Sequence, residues 1–172
     1  MVDYNIVYDV QFIDESTTEP VTLTEAKNFC KVDISNDDDL ITALITAARQ
    51  MCEKYTNIGF IEREVVANVN NVNGGILLPY GPISEVYDIL DDEGKVIDTA
   101  EIQYGGNEFK RLIYPEWDNL SIDYYAGYGE LPKALKTALL NQIYYLYDNR
   151  AQAVDDISPI AQMLLNPYKR NV

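Results

Sequence analysis

The sequence predicts an α+β fold, a helical bundle of three to four helices with an inserted antiparallel β region. Apolar residues recur with the helical period towards both ends of the chain, and the period falls to two over residues 60–125. Turn-forming residues divide that central stretch into short segments. Because 47% of the 172 residues are hydrophobic, the chain can bury a core without disulfide bonds.

Residues 1–19 are predicted to form an extended arm ahead of a main domain, residues 20–172. Apolar and polar residues alternate along residues 4–13, which is typical of a β-strand, and a polar linker follows. Two alternatives stay open for this strand: it adds to the sheet of a neighbouring subunit, or it joins the sheet of its own chain. The apolar face of the arm supplies the first candidate interface residues, Tyr4, Ile6 and Tyr8.

Two helices are predicted between the arm and the β region, at residues 22–32 and 37–56. The first has the spacing of a capping box between Thr22 and Glu25. An asparagine or one of three aspartates caps the second, and Gly59 is predicted as its left-handed C-terminal cap. One apolar stripe of the second helix is predicted to face the core: Ile41, Leu44, Ile45, Ala48, Met51, Cys52 and Tyr55. The other side is predicted to face away: Thr42, Thr46, Arg49, Gln50 and Glu53.

Six short strands are predicted in the β region, because segments rich in Val, Ile and Tyr alternate there with turn residues. They are residues 60–69, 76–78, 83–90, 95–103, 109–113 and 119–125. Asp92-Glu93-Gly94-Lys95 is among the turns that are typical of hairpins.

Two more helices are predicted after the β region, at residues 132–150 and 158–166. Pro132 suits the first turn of the third helix, where its missing N–H costs nothing. Ser158 and Pro159 begin the fourth helix in the same way. The third helix is predicted to face the core with Leu135, Ala138, Leu139, Ile143, Leu146 and Tyr147.

The net charge of −15 is concentrated in the first three quarters of the chain. Residues 1–129 carry 24 acidic against 8 basic residues, whereas residues 130–172 carry 4 against 5. A protein that grips DNA needs a basic surface, so an adhesive DNA-binding role is excluded. No apolar run approaches the ~18 residues that cross a bilayer, and no membrane partner is expected.

No catalytic residue, metal site or cofactor is expected. The chain has no histidine, which excludes a Ser-His-Asp triad and the usual zinc sites. Asp37, Asp38 and Asp39 point about 100° apart at a helix start, so they are interpreted as capping residues and not as a cation site. Cys30 and Cys52 are interpreted as buried, reduced thiols.

Several stretches, in this order, resemble the head–tail connector family of tailed bacteriophages. They are Pro20 to Lys27 with Val32-Asp33, Asp39 to Arg49 with Glu53 to Thr56, Leu78 to Ile83, Tyr124 to Tyr128 with Leu131 to Lys136 and Leu146 to Arg150, and Leu164 to Arg170. The resemblance covers about residues 20–170. The sequence departs from the family pattern in its longer N-terminal arm and in its very acidic β region.

The resemblance implies a structural virion protein and not an enzyme. The implied assembly is a homo-oligomeric ring, dodecameric in the virion, which is formed in the cytoplasm of the host bacterium. Its implied partners are copies of itself, the portal protein, and a head-completion (stopper) or tail protein. DNA would pass through the channel of this ring without specific binding, and an acidic lumen would let it slide.

Two other functions stay open on the sequence. An acidic DNA mimic that inhibits a host DNA-binding protein would carry a similar charge, but it should be a small compact particle and not a ring. A carboxylate-based hydrolase is the third hypothesis, although the 28 acidic residues single out no catalytic pair.

Further candidate interface residues lie in the third helix and at the C-terminus. Tyr144 falls off the apolar stripe, which favours either a subunit interface or the edge of the core. The fourth helix is apolar on one side and too short to be stable alone. Residues 158–172 are therefore predicted to dock to the portal, with packing on the third helix as the alternative. The candidates in this segment are Ile160, Leu164, Leu165, Tyr168, Lys169 and Arg170.

Overall fold

The computed structural model describes residues 6–13, 18–72, 76–98, 103–105, 111–113, 117–151 and 156–170. Contacts along the chain divide it into two units. The sheet unit comprises Met1–Ser16 and Glu62–Tyr128, and the helical unit comprises Thr17–Ile61 and Gly129–Asn171. Helices and antiparallel strands are segregated, which confirms the predicted α+β class. The division into an arm, residues 1–19, and a main domain, residues 20–172, stays a prediction.

Four α-helices form the described part of the helical unit. They are α1, Leu23–Cys30; α2, Asp38–Thr56; α3, Lys133–Asp148; and α4, Pro159–Leu165. A short 3-10 helix, Asn166–Tyr168, continues α4. The first three helices pack against one another, and α4 packs on α3. Each α-helix lies within two residues of its predicted bounds.

The capping box predicted for α1 is present, whereas both ends of α2 differ in detail from the prediction. The capping box of α1 is present, because the Glu25 N–H donates to Thr22 Oγ1 at 3.2 Å and the Thr22 N–H donates to Glu25 Oε2 at 2.9 Å. The predicted Gly59 cap is wrong: α2 ends at Thr56, and the residue that caps it is Asn57, which adopts φ 55°, since asparagine tolerates the left-handed region. Asp37, one of the residues predicted to cap α2, is its N-cap, but it makes no side-chain cap bond and accepts a hydrogen bond from the Tyr147 hydroxyl at 2.5 Å instead.

The buried side of α2 is wider than its apolar stripe. Ile41, Ile45, Ala48 and Cys52 are buried as predicted. The prediction that Arg49 and Glu53 face away is wrong, because they are only 5% and 3% exposed. A periodicity of apolar residues cannot detect them, since each is buried as one partner of an ion pair.

The sheet unit contains seven described strands in two antiparallel sheets. They are β1, Ile6–Phe12; β2, Arg63–Val72; β3, Ile76–Leu77; β4, Ile83–Leu90; β5, Gln103–Gly105; β6, Arg111–Ile113; and β7, Trp117–Ala126. The larger sheet has the order β1-β2-β7-β4, and the smaller has the order β3-β6-β5. One face of the larger sheet carries the core at every second residue, with Val65, Ala67, Val69, Leu120, Ile122, Tyr124 and Ala126.

Residues 95–98, the described start of the predicted strand at residues 95–103, do not form a strand. The chain turns after β4 at Gly94, which adopts φ 76°. Across this turn the structure shows the Leu90–Val96 bridge, a bond from the Asp91 N–H to the Lys95 oxygen and a bond from the Ile97 N–H to the Ile89 oxygen. The next described strand is β5, and residues 99–102 lie outside the described ranges. Because Val96 and Ile97 are β-branched, composition alone favoured a strand here.

Candidate assembly surfaces

The α4 helix turns one side to the core and the other to solvent. Ala161 and Leu165 are fully buried and Leu164 is half-buried, which places Leu165 in the core of the helical unit. Ile160 and Met163 are 56% and 66% exposed. The helix therefore packs on its own unit, as one alternative held, and still presents apolar side chains that a partner can reach.

A buried glutamine holds the start of α4. Ser158 caps the helix through a 3.1 Å bond from the Ala161 N–H to its Oγ, and the Ser158 N–H donates to Gln142 Oε1 at 2.8 Å. The Gln142 amide also donates to the Asp156 carbonyl at 3.2 Å. Gln142 is not among the residues of α3 predicted to face the core, although its spacing of four residues from both Ala138 and Leu146 places it in the apolar stripe of this helix.

The chain after α4 is attached to the end of α2. The Arg170 N–H donates to the Thr56 carbonyl at 2.8 Å, and the Asn57 side-chain amide donates to the Arg170 carbonyl at 2.8 Å. The Tyr55 hydroxyl donates to Asn166 at 2.6 Å, and the Lys169 ammonium lies 4.5 Å from the Tyr55 ring centre. The predicted interface residues Tyr168 and Arg170 are half-buried, whereas Lys169 is exposed.

An open groove lies within the helical unit, beside this attachment. Its volume is about 980 Å³. We call it the lysine groove; its lining residues are Met51, Lys54, Tyr55, Asn57, Asp156, Ile157, Gln162 and Lys169. It combines two ammonium groups, one carboxylate and two apolar side chains in a chain whose net charge is −15.

Tyr144 lies on α3 and is 44% exposed. Its ring meets that of Phe29 on α1 edge to face, with centroids 6.5 Å apart, and Phe29 is itself 39% exposed. The pair forms an aromatic patch on the helical unit. The role of Tyr144 as an interface residue stays a prediction.

Most of the described part of the predicted arm forms the edge strand β1. It pairs antiparallel with β2 of the same chain, from Ile6 opposite Asn70 to Phe12 opposite Val65. Within the single chain, the alternative of a strand on its own sheet is therefore the one that is seen. Tyr4 lies outside the described residues, and the interface roles of Ile6 and Tyr8 on β1 stay predictions.

Carboxylates gather on the outer face of the larger sheet. Asp88 of β4 lies opposite Asp123 of β7, and Glu64 of β2 lies on the same face. Burial, together with the Asp88 and Glu64 charges, raises the pKa of Asp123. Its Oδ1 atom is shielded from solvent and accepts no hydrogen bond from the described residues. Glu64 accepts a hydrogen bond from the Tyr87 hydroxyl.

Both cysteines are buried free thiols, as predicted, and burial with the Glu53 charge raises the pKa of Cys52 to about 12. In the ranges that the structure describes, no three metal-ligating side chains come together. No helix among those ranges is long and apolar enough to cross a membrane.

A family model described as "Head completion protein" matches residues 19–158. The chain belongs to this family. Among curated proteins no sequence matches it. The head completion protein family is the head–tail junction family that the sequence resemblance indicated, so the predicted identity as a structural protein of that junction is confirmed.

The fold of this head completion protein is shared with chains of gene transfer agent (GTA) particles. A chain from the neck of an empty GTA particle, computed with C6 symmetry, matches with a TM-score of 0.77 at 16% identity, covering 95% of this chain and 96% of that chain. A chain from the neck of a native GTA particle, computed with C12 symmetry, matches with a TM-score of 0.74 at 16% identity and the same coverage. These likenesses show the fold.

Proposed function

We propose that the chain is a non-enzymatic subunit of a homo-oligomeric ring at the head–tail junction of a phage-like virion. The ring docks under the portal protein, extends the DNA channel and joins the head to a stopper or tail protein. The observation that carries this proposal is the family match over residues 19–158. Similarity to a neck chain from a particle computed with C12 symmetry supports a dodecamer.

The charge of the chain supports a channel through which DNA slides. The outer face of the larger sheet carries Glu64, Asp88 and Asp123, of which Asp88 and Asp123 lie directly opposite each other. Carboxylates repel phosphates over a Debye length of about 8–10 Å, so such a surface does not retain DNA. We assign the DNA-facing role to this acidic surface and no specific DNA contact to any residue.

Assembly is the first test. Sedimentation velocity and negative-stain images of the purified chain over rising concentration should show rings, alone or on purified portal. An acidic DNA mimic should stay a compact small particle at every concentration and bind a host DNA-binding protein. Failure to form rings both alone and with portal would contradict the proposed function.

The exposed side of α4 is the proposed portal-docking surface, through Ile160 and Met163. Removing residues 158–172 would delete the buried Leu165 and so disturb the core, which makes a point variant the cleaner test. Met163→Glu should weaken portal binding by about tenfold or more, ~1.4 kcal/mol, because it puts a charge in an apolar contact.

The matched control is Gln50→Glu, which adds the same charge at an exposed position of α2. Circular dichroism and the melting temperature should be unchanged for both variants. If Met163→Glu binds portal as tightly as the control does, α4 is not the docking element.

A further inference from the structure

We propose that a turn of the sheet unit docks in the lysine groove of the neighbouring copy in the ring. This turn, residues 91–96, is called the acidic turn. The inference rests on the proposed function, since it assigns one subunit contact of the proposed ring.

The lysine groove offers two ammonium groups that are exposed to solvent. Lys54 and Lys169 are exposed, and no carboxylate of the described residues pairs with either ammonium group. Lys169 lies over the Tyr55 ring, a contact that leaves its N–H donors available. In the same unit, by contrast, Lys136 pairs with Glu25 at 2.6 Å. The groove therefore suits an acidic segment.

The acidic turn is held in one shape by its own first carboxylate. Asp91 Oδ1 accepts the N–H groups of Glu93 at 3.0 Å and Lys95 at 2.8 Å, and the Gly94 N–H donates to the Asp91 carbonyl at 3.0 Å. Gly94 adopts φ 76°, which favours glycine at this point of the turn. The Asp91 side chain is bonded inside the turn. The side chains of residues 92 and 93 are exposed at its tip.

The two surfaces are complementary in charge, and both carry apolar side chains. The tip carries two carboxylates, one ammonium group and an apolar side chain: Asp92, Glu93, Lys95 and Val96, of which Val96 is 57% exposed. The groove carries the opposite set: Lys54 and Lys169, Asp156, and the apolar Met51 and Ile157. Each charged group of the tip therefore has a possible partner of opposite sign, and Val96 can contact the apolar Met51 and Ile157. Charge complementarity of this kind selects the partner and the register of a contact.

Ring symmetry requires a contact of this type. In a cyclic ring each copy joins its neighbour through two different surfaces, which must be complementary to each other and not to themselves. The groove and the acidic turn are two such surfaces on one chain. Because the contact recurs at every interface of a closed ring, a modest pairwise attraction is enough to bias assembly.

Charge reversal tests the contact in full-length protein. Lys54→Glu/Lys169→Glu and, separately, Asp92→Lys/Glu93→Lys should each raise the concentration of half-assembly by about tenfold or more, as measured by sedimentation velocity. The second pair is the stringent one. It makes the chain less acidic, so overall repulsion between copies falls, yet the proposed contact predicts weaker assembly.

Rescue by the combined variant identifies the partners. The chain with all four substitutions has the wild-type net charge and should assemble within about threefold of wild type. Matched controls are Lys31→Glu/Lys133→Glu and Glu62→Lys/Glu130→Lys, which reverse exposed charges elsewhere. The controls should assemble as their net charge dictates and should not rescue the groove or turn variants.

The outcomes separate this contact from the proposed function. If wild-type protein forms rings and the paired variants assemble like their controls, or if the combined variant is not rescued, the contact is wrong and the ring stands. If wild-type protein forms no ring alone or on portal, both the proposed contact and the proposed function are wrong. Circular dichroism of each monomer excludes a folding defect as the cause.

Discussion

The helical unit and the sheet unit differ in how the charges of their buried or half-buried side chains are compensated. In the helical unit, Arg49 lies between two carboxylates, with Nε 2.8 Å from Glu19 Oε2 and Nη1 2.8 Å from Glu53 Oε2. The other Glu53 oxygen accepts the Phe60 N–H at 2.7 Å. In the sheet unit, Asp123 lies opposite another aspartate, and one of its oxygens accepts no hydrogen bond from the described residues.

This difference predicts that removing a charge changes the free energy of unfolding in opposite directions in the two units. In the helical unit each buried charge is neutralised, so removing one leaves its partners buried without compensation. In the sheet unit the carboxylates repel one another, so removing one relieves repulsion. Three substitutions test the comparison, from the largest expected effect to the smallest.

Arg49→Met should lower the free energy of unfolding by about 3–5 kcal/mol, because it strands two carboxylates beside α2. Urea denaturation measures the change, and Gln50→Met on the exposed side of the same helix is the control. A loss of less than about 1 kcal/mol would show that water, or a proton shared between Glu19 and Glu53, compensates the two carboxylates once the guanidinium is removed. The two units would then not differ in how their charges are compensated.

Gln142→Leu should cost about 1–3 kcal/mol, because the buried Ser158 N–H then loses its acceptor. The neighbouring Asn141→Leu, where only a bond to the Thr137 carbonyl within α3 is lost, should cost less. Thermal unfolding of both variants gives the comparison. Equal losses would mean that the glutamine amide contributes no more than a helix-surface side chain.

Asp123→Asn should stabilise the protein by about 0.2–1 kcal/mol at neutral pH, because it removes one of two like charges that lie directly opposite each other. The raised pKa means that the folded state binds this proton more tightly than the unfolded chain does. The contribution of Asp123 to stability is thus fully present below its ordinary pKa of 3.8 and is lost as the pH rises through the raised value.

The gain from Asp123→Asn should accordingly shrink as the pH falls through that raised pKa. Urea denaturation of the wild type and the variant across the acid range measures the difference between them. Asp92→Asn, at the exposed tip of its turn, is the control. A variant that is less stable than wild type at pH 7 would mean that the Asp123 charge is compensated.

The sequence predicts best what depends on near neighbours. Thr22 and Glu25 lie three residues apart, and their reciprocal bonds are a local property. The burial of Arg49 depends on Glu19, which lies thirty residues away and reaches it only in the folded unit. The i, i+4 spacing of Arg49 and Glu53 was visible, but such pairs are usual on exposed helix faces as well.

The candidate surfaces were harder to predict because exposure is a tertiary property. The apolar set of α4 was recognised as a group, but its division into buried Leu165 and exposed Ile160 depends on where α3 lies. The lysine groove joins side chains from the end of α2 and from both sides of α4, which no local pattern connects. Interfaces between copies depend in addition on a partner whose surface the pattern of one helix does not encode.

The attachment of residues 166–170 to the end of α2 has a consequence for the thermodynamics of docking. A free C-terminal tail would lose conformational entropy on binding, at about 1–2 kcal/mol per ordered residue. Here the Arg170 backbone is bonded to Thr56 and Asn57, and Ser158 and Gln142 fix the other end of α4. The helix is thus preorganised, so a partner that binds Ile160 and Met163 meets a rigid surface. Its association should show the small heat-capacity change of rigid-body docking and not that of coupled folding.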